Sequence, residues 1–199
     1  MMNFIKKFDE EIAKVRKMAI KPKLLLHACC APCLTSVLDT LLPDFDVTVF
    51  FYNPNIAPKE EYEYRLEEIK RYVSEVSKTT RIIAPAYYEE EFYSAVQGLE
   101  GEREGGSRCD VCFDVRLSRT RAEAVLAGYD YFATTLTVSP LKSAEKINAI
   151  GERLSVDDCK YLVSDFKKRD GYKKSIELST RHGLYRQNYC GCIFSKKGK

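Results

Sequence analysis

Short apolar runs alternate with amphipathic stretches along this chain, a pattern typical of α/β proteins. Four runs rich in β-forming residues predict buried strands at residues 23–27, 46–52, 81–84 and 129–136. Apolar positions spaced three and four residues apart predict helices within residues 1–20 and at 34–42, 60–78, 109–127, 143–154 and 171–182. Strands joined by helices favour parallel pairing.

The predicted fold is a single-domain, doubly wound and mostly parallel sheet of the Rossmann-like class. We expect one domain over residues 1–199, made of an N-terminal helix (1–20), an α/β core (21–158) and a basic C-terminal segment (159–199) that completes the site. Polar residues and cysteines follow the predicted strands, for example after His27, at Asn53 and at Thr134. Ligands of such folds bind at the carboxyl ends of the strands, so these positions predict one crevice.

Composition excludes two classes of protein. Of the 199 residues, 45% are hydrophobic and 31% are charged, which argues against a disordered chain. No apolar run approaches the roughly 20 residues that span a bilayer, and charges interrupt the first twenty positions where a signal peptide would be apolar. We therefore expect a cytoplasmic protein without a membrane partner.

The net charge of +3 conceals an asymmetry between the C-terminal segment and the rest. Residues 160–199 carry a net charge of +8, which leaves −5 on the remainder. The eleven basic residues are Lys160, Lys167, Lys168, Arg169, Lys173, Lys174, Arg181, Arg186, Lys196, Lys197 and Lys199. This segment is either a polyanion-binding surface or a solubilising charged tail.

Seven of the eight cysteines form three short clusters. The clusters are a CCxxC of Cys29, Cys30 and Cys33, a CxxC of Cys109 and Cys112, and a CxC of Cys190 and Cys192. Without an export signal, a disulfide framework is a poor explanation for them. Cys159 stands alone and is expected to pack as a small hydrophobic residue.

The cysteine spacing favours metal chemistry. A CxxC at a helix start, as at Cys109 and Cys112, suits a redox pair, half a zinc site or half an iron–sulfur site. Adjacent cysteines such as Cys29 and Cys30 reach different atoms of a large cluster more readily than two vertices of one zinc tetrahedron. A four-iron four-sulfur cluster is therefore favoured, and zinc sites that staple loops remain the structural alternative.

Other candidate residues have more than one interpretation. His27 is either a ligand, or a donor to one, or a core histidine with satisfied hydrogen bonds. His182 lies in the basic segment and has either a surface role or a phosphate-binding role. Tyr172, Tyr185 and Tyr189 could stack on an unpaired base, although the chain has thirteen tyrosines and coincidence is the simpler explanation.

Several motifs together resemble the QueH family of epoxyqueuosine reductases. They are HACCAPC at residues 27–33, FYNPNI at 51–56, RCDVCF at 108–113 with Arg116-Leu117, TTL at 134–136 with Ser139-Pro140 and Lys142, and YRQNYCGC at 185–192. The resemblance extends from about Leu24 to Ser195. It implies reduction and deoxygenation of the epoxide of epoxyqueuosine in a tRNA anticodon loop, without cobalamin and with an electron donor that the sequence does not identify.

The resemblance also implies roles for the cysteines. Cys29, Cys30, Cys109 and Cys112 would hold a four-iron four-sulfur cluster. Cys190 and Cys192 would form a redox-active pair that can close a disulfide, or would join Cys33 in binding an additional mononuclear iron. The candidate proton donors are Asp110, Asp114, Tyr189 and Lys142.

Two other classes of function agree with parts of the sequence. Related α/β folds, of the PP-loop and adenine nucleotide alpha hydrolase type, host adenylating tRNA-thiolation enzymes with a glycine-rich pyrophosphate loop after the first strand. The corresponding stretch here, residues 27–33, has no glycine, which disfavours ATP binding. A zinc-stapled RNA-binding module without catalysis would hold only colourless metal.

Overall fold

The computed structural model describes residues 3–196, so Met1, Met2, Lys197 and Lys199 of the predicted helix and basic segment lie outside the described residues. The strands are β1 (Lys23–His27), β2 (Asp46–Phe50), β3 (Arg81–Ile83), β4 (Tyr131–Thr134) and β5 (Lys160–Tyr161). The helices are α1 (Phe4–Val15), α2 (Ala31–Leu41), α3 (Lys59–Val76), α4 (Glu90–Ala95), α5 (Ser107–Leu126), α6 (Ala144–Leu154) and α7 (Gly171–Arg181). No helix within residues 3–196 is long and apolar enough to cross a membrane.

The five strands form one parallel sheet in the order β3-β2-β1-β4-β5. This arrangement confirms the predicted α/β class and the Rossmann-like winding. The sequence predicted four strands, and the structure adds β5, whose two residues are too few to show a periodic pattern. The six-residue helix α4 was missed for the same reason.

Helices cover both faces of the sheet. Leu24 and Leu26 of β1 pack with apolar side chains of α1, α2 and α3, whereas Leu25 packs with those of α5 and α6. All three leucines are fully buried, as expected for the central strand of a doubly wound sheet. The continuous apolar run of β1 thus fixes the strand in the middle of the molecule.

The carboxyl end of β1 lies between those of β2 and β4. His27 is in register with Phe50 of β2 and with Thr134 of β4. Each of these strands then leaves the sheet at the same edge, as predicted for one crevice. The cysteines after β1, the loop after β2 and the 3-10 turn Thr135–Val138 after β4 therefore begin side by side.

Candidate metal centre

The first cysteine cluster lies at the junction of β1 and α2. Cys30 is the N-cap of α2, and Pro32 in the first turn suits the helix start because a proline lacks the N–H that would be unpaired there. Cys33 follows in the same turn. The sulfur atoms of Cys29, Cys30 and Cys33 all lie within 4.8 Å of one another, and those of Cys29 and Cys30 are 3.8 Å apart. Three thiols this close form a ready set of ligands for a soft metal.

Hydrogen bonds hold the peptide before α2. The Cys29 N–H donates to the hydroxyl of Thr135 at 3.4 Å, and the Cys29 sulfur is 3.6 Å from the same oxygen. Thiol hydrogen bonds from Cys30 and Cys33 lower the pKa of Cys29 well below its usual value, whereas the hydrogen bond to Cys29 raises the pKa of Cys30 to about 12.

The second cluster begins α5. Cys109 and Cys112 lie in its first turns, one turn apart, as the spacing predicted. The Gly105 N–H donates to the Cys109 sulfur at 3.2 Å. Burial raises the pKa of the Cys112 thiol to about 12, so deprotonation of this side chain requires a strong positive charge such as a bound metal.

The third cluster is fixed against the loop that follows β2. The Ala57 N–H donates to the Gly191 carbonyl at 3.0 Å, and Arg65 of α3 donates to the Cys190 carbonyl at 3.2 Å. Gly191 has φ +108°, and a Cβ there would lie 2.9 Å from Cγ1 of Ile56 and 3.0 Å from Nη1 of Arg65. Only glycine fits this turn between the two cysteines.

Cysteines of the second and third clusters share a cavity of about 230 Å³. Its walls include Cys109 and Cys112 from the middle of the sequence and Cys190 and Cys192 from near its C-terminal end. Leu141 and Lys142, which follow the 3-10 turn after β4, also line it, and Leu141 is 77% exposed. The structure thus brings the two clusters together, and all eight cysteines are free thiols.

Arg116 connects this cavity to the first cluster. It lines the cavity, is 1% exposed, and its Nε donates to the Cys112 carbonyl at 3.0 Å. Burial opposes the charge of this guanidinium, yet nearby Cys112, Cys190 and Cys29 raise its pKa. Nη2 of Arg116 is buried and has no hydrogen-bond partner among residues 3–196. Cysteines of all three clusters therefore act electrostatically on one cation.

The candidate proton donors occupy different surroundings. Asp110 forms an ion pair with Lys146 at 2.7 Å, Asp114 pairs with Arg153, and the Tyr189 hydroxyl donates to the Ala57 carbonyl at 2.9 Å. None of these three lines the cavity. Lys142 does line it and, within the described residues, its ammonium pairs with no carboxylate. Cys190 and Cys29 raise the pKa of Lys142 despite the opposing effect of its burial.

His27 and Cys159 have structural surroundings. The Thr134 hydroxyl donates to Nδ1 of His27 at 2.9 Å, and Nε2 donates to the Tyr52 carbonyl at 3.1 Å, the tautomer that a carbonyl acceptor requires. Burial lowers the pKa of His27 to about 4, so the ring is neutral and has no free ligand atom. Cys159 is buried in the core with Phe132, as predicted.

The basic segment is partly neutralised. Three of its lysines form ion pairs: Lys167 with Asp165, Lys173 with Glu177 and Lys174 with Asp39. Asp39 lies nine residues beyond Cys30 in α2, which separates the two by about 13 Å along the helix axis. Lys174 is therefore remote from the first cysteine cluster.

Residues that the sequence left without a role are also part of the centre. Arg108 is buried and donates to the carbonyls of Leu99, Glu100 and Glu102, so it fixes the glycine-rich loop before α5. Asn53 donates to the Ala28 carbonyl at 2.9 Å and thereby ties the β2 loop to the first cluster. Arg116 could have been identified from its position, seven residues after Cys109 and four after Cys112, which places all three on one helix face.

Comparison with known proteins identifies relatives over nearly the whole chain. A family model described as epoxyqueuosine reductase QueH matches residues 24–198. The epoxyqueuosine reductase QueH of Streptococcus pyogenes is 44% identical over 94% of this chain and 76% of its own length. Those of Staphylococcus aureus and Thermotoga maritima are 40% and 39% identical, over 98% and 86% of this chain and 84% and 89% of their own lengths.

Proposed function

Because the chain belongs to the epoxyqueuosine reductase QueH family, we propose that its cysteine-lined cavity is where the epoxide of epoxyqueuosine in a tRNA is reduced to queuosine. The protein is an oxidoreductase of queuosine formation. The reaction adds two electrons and two protons, removes the epoxide oxygen as water and leaves a carbon–carbon double bond. The observation that carries the proposal is that Arg116 lines one cavity with Cys109, Cys112, Cys190 and Cys192. Arg116 also interacts electrostatically with Cys29, whose sulfur lies within 4.8 Å of those of Cys30 and Cys33.

The residues present fit a four-iron four-sulfur cluster. Cys29, Cys30, Cys109 and Cys112 would hold it, and Cys29, Cys30 and Cys109 pack into one apolar group around Phe113. When bound, such a cluster supplies single electrons at a potential set by its surroundings. Four thiolates are an anionic ligand set, and the unpaired Nη2 of Arg116 is the kind of buried donor that such a set would satisfy.

Cys190 and Cys192 have a role in the proposal that differs from that of the cluster ligands. Oxidation of the two thiols to a disulfide releases two electrons and two protons, the amounts that removal of the epoxide oxygen consumes. An external reductant would then restore the thiols. The competing version places an additional mononuclear iron on Cys33, Cys190 and Cys192, where it would act as a Lewis acid toward the epoxide oxygen. Both versions agree with the position of Cys190 and Cys192 in the cavity wall.

Lys142 is the proposed proton donor to the oxygen that leaves the ring. Its side chain is partly buried in the cavity wall and, among the described residues, its ammonium pairs with no acid. Asp110 and Tyr189 remain candidates from the sequence, but the carboxylate of Asp110 is engaged by Lys146 and the hydroxyl of Tyr189 by a carbonyl. Lys142 is therefore favoured on position.

The tRNA would approach the open side of the cavity. We propose that the anticodon base enters past Leu141, whose exposed side chain offers an apolar surface to a ring. Lysines of the C-terminal segment would contact phosphates further along the tRNA. A tRNA substrate and reduced cysteines both agree with a cytoplasmic enzyme.

The proposed function is tested with a variant that removes Cys190 and Cys192 and keeps the four proposed cluster ligands. The reductase, purified without oxygen, is given epoxyqueuosine tRNA and a chemical reductant, and the nucleosides are analysed by mass spectrometry. We expect the Cys190→Ser, Cys192→Ser double variant to retain cluster absorption but to lose multiple turnover, with Cys159→Ser as the matched control.

The iron count decides between the two versions. Disulfide formation in the oxidised wild type, with unchanged iron in the double variant, supports the redox pair. A lower iron count with unchanged sulfide supports the second iron. A fully active double variant with normal iron would contradict both.

A further inference from the structure

Arg116 is a buried cation whose counter-charge is not an acid. The guanidinium is 1% exposed, and no Asp or Glu within residues 3–196 forms an ion pair with it. Its Nε donates to the Cys112 carbonyl of its own helix, and its Cζ lies 5.6 Å from the centroid of the Phe113 ring. Its Nη2 has no hydrogen-bond partner in the described part of the chain. A charge removed from water in this way is strongly destabilising unless an anion lies nearby.

The other buried arginines do not share this situation. Arg65 pairs with Glu61 at 2.7 Å and also donates to the Cys190 carbonyl. Arg108 is surrounded by the three carbonyls of the loop that it fixes. Arg116 therefore differs from both of them in having neither a carboxylate nor a set of carbonyls.

The groups near Arg116 that can carry negative charge are sulfurs. Cys109, Cys112 and Arg116 lie on one face of α5, at intervals of three and four residues. Cys112, Cys190, Cys29 and Cys109 all act electrostatically on the guanidinium. These cysteines belong to three separate segments, so the cation is placed where the segments converge rather than beside one of them.

We propose that Arg116 is the fixed counter-charge of the thiolate-held centre and that it raises the reduction potential of that centre. This inference rests on the proposed function, since it requires a redox centre held by these cysteines. Reduction adds negative charge to a centre that is already anionic. A fixed positive charge stabilises the reduced form more than the oxidised form, and the low polarity of the site increases the effect. Arg116 would thus act on the centre through its charge.

The test compares three variants of the metal-loaded enzyme. Arg116→Met removes the charge and keeps much of the side-chain volume, Arg116→Lys keeps the charge, and Arg119→Met removes an exposed arginine from the same helix. The measurements are the midpoint potential, by anaerobic dye-mediated titration followed by absorption, and the iron and sulfide content per chain.

We expect Arg116→Met to shift the midpoint potential to more negative values, with Arg116→Lys near the wild type and Arg119→Met unchanged. If Arg116→Met does not retain the cluster, retention by Arg116→Lys at a near-native potential still supports a charge role. An unchanged potential in Arg116→Met, or loss of the cluster from both Arg116 variants, would overturn the inference. A wild type without iron would instead contradict the proposed function, so the two failures are distinguishable.

Discussion

The side chain of Arg116 donates a hydrogen bond of 3.0 Å to the backbone carbonyl of Cys112, one helical turn before it. This bond directs a buried guanidinium along the helix face that carries Cys109 and Cys112. The cavity on that face is closed by Cys190 and Cys192 from the end of the chain. A hydrogen bond within α5 therefore fixes the position of the guanidinium in the cavity that α5 and the C-terminal cysteines form.

Lys142 is predicted to act in the chemical step. Lys142→Met should lower the single-turnover rate of epoxyqueuosine reduction by about 10²- to 10⁴-fold, the usual contribution of a general acid. The rate is followed by mass spectrometry of the tRNA nucleosides. Lys146→Met is the matched control, because Lys146 lines the same cavity but is paired with Asp110. A Lys142→Met enzyme with full iron content and the wild-type rate would remove Lys142 from the mechanism.

Gly191 is predicted to be irreplaceable for steric reasons. Gly191→Ala and Gly183→Ala both place a side chain at positive φ, which costs about 1–2 kcal/mol of stability. A Cβ at Gly183 has no atom within 4 Å, whereas one at Gly191 meets Ile56 and Arg65. Chemical denaturation should therefore show a larger loss for Gly191→Ala, together with faster alkylation of Cys190. Equal losses in the two variants would mean that the turn relaxes without displacing the cysteines.

Glu68 is predicted to anchor the segment that leads to Cys190. Arg71 donates to its carboxylate and the Tyr185 N–H donates at 2.9 Å, and these bonds lower the pKa of Glu68 below its usual value. Glu68→Gln should reduce the free energy of unfolding at pH 7 by about 1 kcal/mol. Because the lowered pKa stabilises the fold only while Glu68 is ionised, the difference should vanish as pH falls through and below 4.5.

Denaturation curves recorded from pH 7 to pH 3 provide the check for Glu68. Glu67→Gln, on the exposed face of α3, is the control, since within the described residues its carboxylate pairs only with Lys70. A difference between wild type and Glu68→Gln that stays constant with pH would show that the ionised carboxylate is not the source of the stabilisation.

The basic segment is predicted to affect tRNA affinity rather than reduction. Neutralising Lys167, Lys168, Lys173 and Lys174 to Gln should flatten the dependence of tRNA binding on salt while the absorption of the metal centre stays unchanged. Three of these lysines already have acidic partners. The four substitutions together should therefore reduce the slope by less than the loss of four phosphate contacts would. If binding at several salt concentrations gives an unaltered slope, the tRNA surface lies elsewhere.

The fold could be predicted from the sequence because its signals are local. The apolar run of β1 and the amphipathic spacing of α3 and α5 are properties of neighbouring residues. The fifth strand was missed because β5 has two residues and is specified by its pairing with β4. That pairing is a tertiary contact, which periodicity does not report.

The cysteine motifs of the candidate site can be identified in the sequence. The contacts that surround these cysteines cannot. The clusters are visible as CCxxC, CxxC and CxC, and their positions at strand and helix ends indicate that they converge. The contacts of Asp110 with Lys146 and of Tyr189 with Ala57 join residues far apart in sequence, and no local pattern identifies them. The isolation of Arg116 from acids is likewise a property of the folded chain.

The iron and acid-labile sulfide content of the anaerobically purified protein, read with its absorption spectrum, tests the central claim most directly. The account predicts a brown protein with about four iron and four sulfide per chain, with or without one further iron. It also predicts that Cys109→Ser abolishes the cluster, whereas Cys159→Ser, which removes a buried thiol away from the cavity, retains it. A colourless protein that holds zinc, or a Cys109→Ser variant with full cluster absorption, would contradict the account.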